Sequence, residues 1–295
     1  MNTLKLQNSI FKILIELFVF DKTKRMKIKS RWAKSHIQKY IDIVMSKNTD
    51  YSSSSTSEHI FWQYWHQGQA QAPTLIQKCF ESIDKYHPEY KRIILSYNNI
   101  EDYVEIPSLY YDLVKKGKMS ITFFSDVLRA YLLTQYNSGT WIDSTIYLTD
   151  KIPAQILNSE FFVFQKKPDT DRLENKMSSF FMHSRGFCKL IQIMKEVFYE
   201  YWKENDFLIN YFFIEHLVTM LSSENAEFKE LWNKMPYYSA NDTGILQTKL
   251  FENFNAEEFE KIKSKTNIHK LSYKILRNEA SKESYYNKII TGEII

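Results

Sequence analysis

The segment SITFFSDVLRAYLLTQYNSGTWIDSTIYL, residues 120–148, carries the clearest pattern of secondary structure in the chain. Apolar side chains recur in its first half at helical spacing, and the Ser120 hydroxyl can cap that helix by accepting a first-turn amide. Gly139, in the turn sequence NSG, is predicted to end the helix in the left-handed conformation. A short buried strand then starts at Trp141, and Asp143 lies in the turn after it. The segment therefore predicts a helix, a tight turn and a strand that ends at an acid.

Three charged side chains of this segment are candidates for a binding site. Asp126 and Arg129 are three residues apart and share one helix face, while Asp143 follows the strand. Apolar neighbours leave little of the helix for solvent, so a charged pair inside it indicates a lined cleft. The alternatives are an ordinary ion pair for Asp126 and Arg129 and a simple turn cap for Asp143. Two carboxylates and a guanidinium placed together could hold a sugar nucleotide and its metal.

Composition excludes several classes of protein. The chain has 295 residues, of which 44% are hydrophobic and 25% charged, as in globular proteins with one large or two small domains. A net charge of +4 is too small for a dedicated nucleic-acid binder, so no nucleic-acid partner is expected. Cys79 and Cys188 provide neither a disulfide scaffold nor zinc-ligand spacing, and a reducing, cytoplasmic location fits. No apolar run is long enough to span a bilayer.

The N-terminal region combines an apolar helix with a basic cluster. Residues 4–20 are apolar but interrupted by polar side chains, and a single acid, Asp21, precedes the basic residues. These are Lys22, Lys24, Arg25, Lys27, Lys29, Arg31 and Lys34. Such a pattern suits an anionic membrane surface, so residues 1–34 predict peripheral attachment at the inner face of the cell membrane. The alternative is a helix packed on the domain with a solvated charged face.

A Ser-rich linker, NTDYSSSSTS at residues 48–57, marks the clear boundary in the chain. Beyond it, strands and helices alternate with short breaks, which predicts an α/β domain with a mostly parallel sheet flanked by helices. Helices are expected over 186–203 and 206–222, the second capped by Asp206. The predicted parts are an N-terminal helical extension with its linker (1–57), the α/β domain (58–275) and a C-terminal tail (276–295).

The predicted sheet places several polar and aromatic residues on one rim. Ligands of parallel sheets bind at the carboxyl ends of the strands. Trp65 and Gln67 follow the strand that begins at Ile60, and Asp143 follows the strand of the central segment. We therefore expect Trp65, Gln67 and Asp143 to lie on the same edge.

Four segments together resemble the capsular polysaccharide synthesis family of glycosyltransferases. They are WQYWHQG (62–68), SDVLRAYLL (125–133), SGTWIDSTIYLT (138–149) and IHKLSYK (268–274). That family is related to sugar transferases of the GT-A type, which carry a DXD acidic signature. The resemblance covers roughly residues 58–275 and implies a GT-A-like, Rossmann-like sheet. Here the signature reads Asp143-Ser144-Thr145, so a hydroxyl, a poorer ligand for hard cations, replaces the second carboxylate.

The resemblance also implies roles for individual residues. Asp126 and Arg129 would bind the donor sugar and stabilise charge near the scissile bond, and both would contact the nucleotide sugar with Asp143. Asp143 would meet the ribose and a divalent cation, Mn²⁺ or Mg²⁺. Trp65 would lie by the nucleobase, with Gln67 beside it.

Two residues near the C-terminus complete the implied site. His269 would be a second metal ligand beside Asp143, or a structural residue if no metal binds, and Lys270 would bind the diphosphate. A leaving nucleoside diphosphate develops negative charge, which a fixed cation, Lys or Arg can stabilise.

The function implied is transfer of a hexose, with retention of configuration, from a nucleotide sugar to a lipid-linked or growing capsular polysaccharide. The expected partners are a UDP-sugar donor and a glycan or glycolipid acceptor. Two alternatives stay open: a non-catalytic carbohydrate- or membrane-binding protein on the same scaffold, and transfer of a polyol or sugar phosphate in the same pathway.

Overall fold

The computed structural model describes residues 3–47, 58–167, 173–274 and 281–294, so the linker predicted at 48–57 lies outside the described residues. The strands are β1 (Ile60–Tyr64), β2 (Lys91–Leu95), β3 (Ser138–Ile142), β4 (Ile146–Leu148), β5 (Phe161–Gln165), β6 (Met177–Arg185) and β7 (Ile268–Lys270). The α-helices are α1 (Thr3–Phe18), α2 (Lys22–Ser46), α3 (Thr74–Tyr86), α4 (Ser108–Lys115), α5 (Ile121–Tyr136), α6 (Ala154–Leu157), α7 (Lys189–Glu204), α8 (Phe213–Glu224), α9 (Ala226–Lys234), α10 (Ile245–Lys249), α11 (Ala256–Lys265) and α12 (Tyr285–Thr291).

The central sheet has the strand order β2-β1-β3-β6-β5. β1 pairs in parallel with β2 and β3, while β6 pairs antiparallel with both β3 and β5. Four of these five strands therefore run in one direction and β6 runs against them. β4 and β7 form a separate antiparallel pair. The predicted α/β fold, a mostly parallel sheet flanked by helices, is confirmed.

The central segment folds as predicted in outline, with one correction. The Ser120 hydroxyl accepts a 3.1 Å hydrogen bond from the Phe123 amide and caps α5. The left-handed residue that ends α5 is Asn137, with φ of 51°, so the prediction of Gly139 for this position is wrong. Gly139 lies inside β3, where an added Cβ would come within 3.0 Å of the Ile60 carbonyl oxygen. Glycine is required there for close approach to β1 and not for the turn.

The second predicted helix, 206–222, starts seven residues later than expected, at Phe213. The amide of Ile209 donates to the Tyr201 hydroxyl at 3.0 Å, and the amide of Phe212 donates to the Asn210 side chain at 2.9 Å. These bonds satisfy the backbone without a helix. Asp206 therefore caps nothing; it pairs with two lysines, one of them in α1.

Both ends of the chain pack onto the domain. In α2, Ala33, Ile37, Tyr40, Ile41 and Val44 are buried in the main core, against α7 and α8. Near the C-terminus, the α12 side chains of Tyr285 and Ile289 are fully buried in a second core. Those described parts of the predicted extension and tail are therefore integral to the fold. In the residues that the structure describes, we find no helix with the length and apolarity to cross a membrane.

Candidate active site

The turn after β3 is fastened to the neighbouring strands, and this fixes Asp143 at the rim of the sheet. The Asp143 amide donates to the Phe180 carbonyl at 2.9 Å, and the Ser144 hydroxyl donates to the Tyr64 carbonyl at 2.7 Å. Because β1 and β3 are parallel neighbours, Trp65 and Asp143 emerge at the same edge. Trp65, Gln67 and Asp143 all line one cavity of about 800 Å³, as expected from their positions after the strands.

Asp126, Arg129 and Asp143 meet at one guanidinium. The Arg129 Nη2 atom lies 3.0 Å from Asp126 Oδ1 and 3.3 Å from Asp143 Oδ1. Arg129 also donates to the Ser179 carbonyl and lies 5.0 Å from the centre of the Trp141 ring. Asp126 and Arg129 are only 6% and 2% exposed, so the alternative of an ion pair on a solvated face does not fit. The structure brings all three predicted residues together.

Lys270 joins this cluster from the far end of the chain. β7 pairs with β4 so that Lys270 lies opposite Ile146, and the Leu271 amide donates to the Thr145 carbonyl at 2.9 Å. The Lys270 ammonium then donates to Asp143 Oδ2 at 2.7 Å and to Thr145 Oγ1 at 2.6 Å. Two cations therefore flank the one carboxylate of the turn.

The two aspartates of the cluster differ in charge because their surroundings differ. Burial opposes ionisation of Asp143, but the charges of Lys270 and Arg129 outweigh it and hold its pKa below the ordinary value. Burial raises the pKa of Asp126 to about 7, opposed by Arg129 and assisted by the charges of Glu215 and Asp143. Asp143 is therefore ionised at neutral pH. Asp126 is present in both its protonated and its ionised form there, so it can donate or accept a hydrogen bond.

A second, smaller cavity of about 230 Å³ adjoins the first and contains residues that the sequence analysis missed. Its lining includes Asp126, Arg129, Ser179, Tyr211 and Glu215. The Ser179 hydroxyl donates to Glu215 at 3.1 Å, and burial raises the pKa of Glu215. Glu215 is a lone acid within the apolar run of α8. The signal that singled out Asp126, a charge surrounded by apolar residues, would have found it.

The two cavities share a wall. Thr122, Ser125, Asp143, Tyr211 and Lys270 line both of them. Trp65 and Tyr273 line the larger cavity alone, and their rings meet edge to face with centroids 5.2 Å apart. The site thus has aromatic rings in the larger cavity, the Lys270 ammonium at the shared wall and buried carboxylates in the smaller cavity.

His269 does not join the cluster, which corrects the expectation that it binds a metal with Asp143. Successive residues of a strand face opposite sides, and Lys270 takes the side that faces Asp143. His269 is completely buried and lies 2.9 Å from the Thr149 hydroxyl. Burial lowers its pKa to about 3, so it remains a neutral core residue.

The residues at the predicted metal position do not fit a divalent cation. Asp143 Oδ1 accepts from Trp141 and Arg129, its Oδ2 accepts from Lys270, and the Thr145 hydroxyl also contacts Lys270. Within residues 3–47, 58–167, 173–274 and 281–294, no group of three or more His, Cys, Asp or Glu side chains is arranged to hold a metal. Hard cations need several oxygen ligands, and those of the Asp-Ser-Thr turn are already occupied.

Comparison with known proteins agrees with the resemblance found in the sequence. A family described as capsular polysaccharide synthesis protein matches residues 15–289. Among solved structures, a glycosyltransferase involved in the glycosylation of the major capsid of PBCV-1 matches with a TM-score of 0.31 and 11% identity, over 72% of this chain and 93% of that chain. That similarity is too distant to assign an activity, and a search of curated proteins finds no match. Since the family match covers nearly all of the sequence, this chain belongs to the capsular polysaccharide synthesis protein family.

Proposed function

We propose that the protein is a glycosyltransferase with a GT-A-like sheet, which moves a hexose from a UDP-sugar to a lipid-linked or growing capsular polysaccharide. The observation that carries the proposal is the position of Asp143 and Lys270 at the junction of two cavities. A nucleotide sugar has the same order of parts: an aromatic base, an anionic diphosphate and a hydroxyl-rich ring.

The larger cavity suits the nucleoside diphosphate. Its volume of about 800 Å³ is typical of small-molecule sites, which span roughly 300–1,000 Å³. The Trp65 and Tyr273 rings in its lining offer aromatic surface to a base, and Gln67 supplies amide hydrogen-bonding groups. Asp143 lines both this cavity and the smaller one, and it can accept bonds from ribose hydroxyls. Lys270 is then the cation nearest the diphosphate.

The smaller cavity suits the donor sugar. Asp126, Glu215 and Ser179 give it acceptors and donors for hydroxyl groups, and buried polar groups of this kind discriminate strongly between hydroxyl patterns. Arg129 holds the two aspartates at fixed positions through short contacts. The sugar is therefore oriented before reaction, which is how such sites reduce the entropic barrier.

The proposed reaction is a displacement at the anomeric carbon. The acceptor hydroxyl oxygen bonds to this carbon while the bond from the carbon to the diphosphate oxygen breaks. The electron pair stays on the diphosphate, and one of its oxygens takes up the hydroxyl proton. Because negative charge grows on the leaving group, the Lys270 ammonium at the junction stabilises the transition state more than the bound substrate.

The first helix supports a lipid-linked acceptor and an anionic membrane surface as partner. Five apolar side chains of α1 recur on one face and remain 43–60% exposed, namely Leu6, Ile10, Ile13, Leu14 and Leu17. Residues 1–34 carry nine basic and two acidic side chains, in a chain whose net charge is +4. An exposed apolar face flanked by basic residues suits a bilayer with anionic headgroups.

α1 also lies beside the site. Lys5 of α1 pairs with Asp206 at 3.3 Å. Phe11 of α1 and Tyr211 line a third, separate cavity, and Tyr211 also lines both cavities of the site. A membrane bound by α1 would therefore come close to the mouth of the site. A lipid-linked acceptor could reach the donor there without leaving the bilayer.

The membrane partner gives a direct prediction. The double substitution Ile13→Gln/Leu17→Gln should weaken binding to anionic vesicles at least tenfold. Each of these side chains contributes about 1–2 kcal/mol to the binding free energy by burying its apolar surface in the bilayer. Vesicle co-sedimentation measures this. Tyr237, 55% exposed outside the N-terminal region, provides the control Tyr237→Gln. Deleting residues 1–34 is a poorer test, because Ser30 and Ala33 are fully buried. Unchanged vesicle binding by the double variant would show that the apolar face of α1 does not bind the membrane.

The function itself is tested with a panel of nucleotide sugars, with and without Mn²⁺ or Mg²⁺. We expect one donor, a UDP-hexose, to be hydrolysed slowly to free nucleoside diphosphate, and UDP to raise the melting temperature of the protein. Binding of UDP without donor turnover, in the presence of acceptor lipid, would favour the non-catalytic alternative. Release of nucleoside monophosphate in place of diphosphate would favour transfer of a sugar or polyol phosphate.

A further inference from the structure

Lys270 occupies the place where the sequence predicts a divalent cation. Its Nζ atom lies 2.7 Å from Asp143 Oδ2 and 2.6 Å from Thr145 Oγ1. These are the first and third residues of the Asp-Ser-Thr turn, the two positions from which an acidic DXD signature would offer ligands. The ammonium therefore already bridges the groups that a metal would bridge.

A divalent cation at this position would meet two fixed positive charges. The Lys270 ammonium is on one side of the Asp143 carboxylate, and Arg129 is 3.3 Å from its other oxygen. Like charges at such separations repel strongly in a partly buried site. Thr145 adds no negative charge that could offset the repulsion, because its hydroxyl is neutral. The arrangement favours retention of the lysine over entry of a metal.

We propose that the Lys270 ammonium replaces the divalent cation and stabilises the diphosphate of the donor, so that nucleotide binding and sugar transfer require no metal. This inference rests on the proposed function, and it names the group that meets the leaving diphosphate. Asp143 and Thr145 accept hydrogen bonds from two of the three N–H groups of the Lys270 ammonium. The third can reach a phosphate, since Lys270 lines both cavities and its side chain is 32% exposed.

The position of the ammonium is fixed before substrate binds. Asp143 and Thr145 hold Nζ from one side, and the Phe180 ring centre lies 5.5 Å away. As the bond from the anomeric carbon to the diphosphate breaks, the electron pair moves to the departing oxygen. Lys270 keeps its protons and pairs with the new charge, and no reorganisation is needed at that moment.

The experiment is calorimetric titration of the full chain with UDP, in EDTA and separately in excess Mn²⁺. For the wild type we expect the Kd in EDTA to lie within threefold of the Kd in Mn²⁺. Lys270→Ala should weaken binding in EDTA at least tenfold. The matched control is Lys249→Ala, since Lys249 is also 32% exposed and pairs with Glu252 at 3.0 Å, yet lines neither cavity. It should bind UDP like the wild type.

A second variant converts the turn to an acidic pair without the lysine. Thr145→Asp/Lys270→Ala should bind UDP only with Mn²⁺, and electron paramagnetic resonance should detect Mn²⁺ bound to this variant. Circular dichroism confirms that each variant is folded. Wild-type binding that requires Mn²⁺, or unchanged binding by Lys270→Ala in EDTA, would overturn the inference and leave the proposed function standing. Failure of every nucleoside diphosphate to bind, with or without metal, would overturn both.

Discussion

Asp143→Asn is expected to lower kcat/KM for the nucleotide sugar about a thousandfold while the protein stays folded. The carboxylate contacts both cations, the Lys270 ammonium at 2.7 Å and the Arg129 guanidinium at 3.3 Å. An amide of the same shape keeps the acceptor for the Trp141 indole, but it removes the charge and turns an NH₂ group toward a cation. Lys270 then keeps only its contact with Thr145 Oγ1, so the ammonium is less firmly held beside the leaving group.

The measurement is steady-state release of nucleoside diphosphate, with circular dichroism as the check on folding. Asp150→Asn is the matched control, because Asp150 follows β4 as Asp143 follows β3 but is exposed and lines neither cavity. The control should keep wild-type kinetics. Turnover by Asp143→Asn within a few fold of the wild type would show that the site has been placed wrongly.

Arg129→Met should lower the free energy of unfolding by about 3–5 kcal/mol, because it leaves the buried Asp126 carboxylate without its cation. Asp126, only 6% exposed, lies 3.0 Å from the guanidinium, and methionine fills the space without replacing the charge. Denaturant unfolding measures the loss. The control Arg92→Met removes an arginine whose partner, Asp84, is 56% exposed, so it should cost about 1 kcal/mol or less.

The loss caused by Arg129→Met should grow as the pH rises above 7. The pKa of Asp126 is about 7 in the folded protein and 3.8 ordinarily, so the contribution of Asp126 to the stability of the wild type falls as the pH rises toward 7 and then levels off. Arg129 lowers this pKa. Without Arg129 the folded pKa rises further, and the variant continues to lose stability above pH 7. Equal losses at pH 6 and pH 8 would contradict the coupling of Asp126 to Arg129.

Local sequence signals were enough for the outline of the site. Asp126 and Arg129 share a helix face because of their spacing, and Asp143 follows a strand because the apolar run ends there. The sequence also contained a usable signal for Glu215, a single acid within the apolar run at 213–221. These residues could be predicted since helix periodicity and strand ends are set by neighbours in the chain.

Other features depended on contacts between distant parts of the chain. Gly139 is required by the close approach of β1, and no local sequence pattern distinguishes that role from a helix end. The late start of α8 follows from hydrogen bonds in the segment before it, where the side chains of Tyr201 and Asn210 accept from backbone amides. The burial of α2 and α12 likewise reflects cores assembled from remote segments.

From its sequence, this protein could be recognised as an α/β chain of the capsular polysaccharide synthesis family, with an acid and an acid–arginine pair at the end of its sheet. Which residue of β7, Ile268–Lys270, faces Asp143 could not be predicted from the sequence. A three-residue strand is too short for its hydrophobic periodicity to fix its register. The pairing of β7 with β4 turns Lys270 toward Asp143 and buries His269. A side chain's direction in a short strand is set by its partner strand, and that partner lies more than a hundred residues away in the chain.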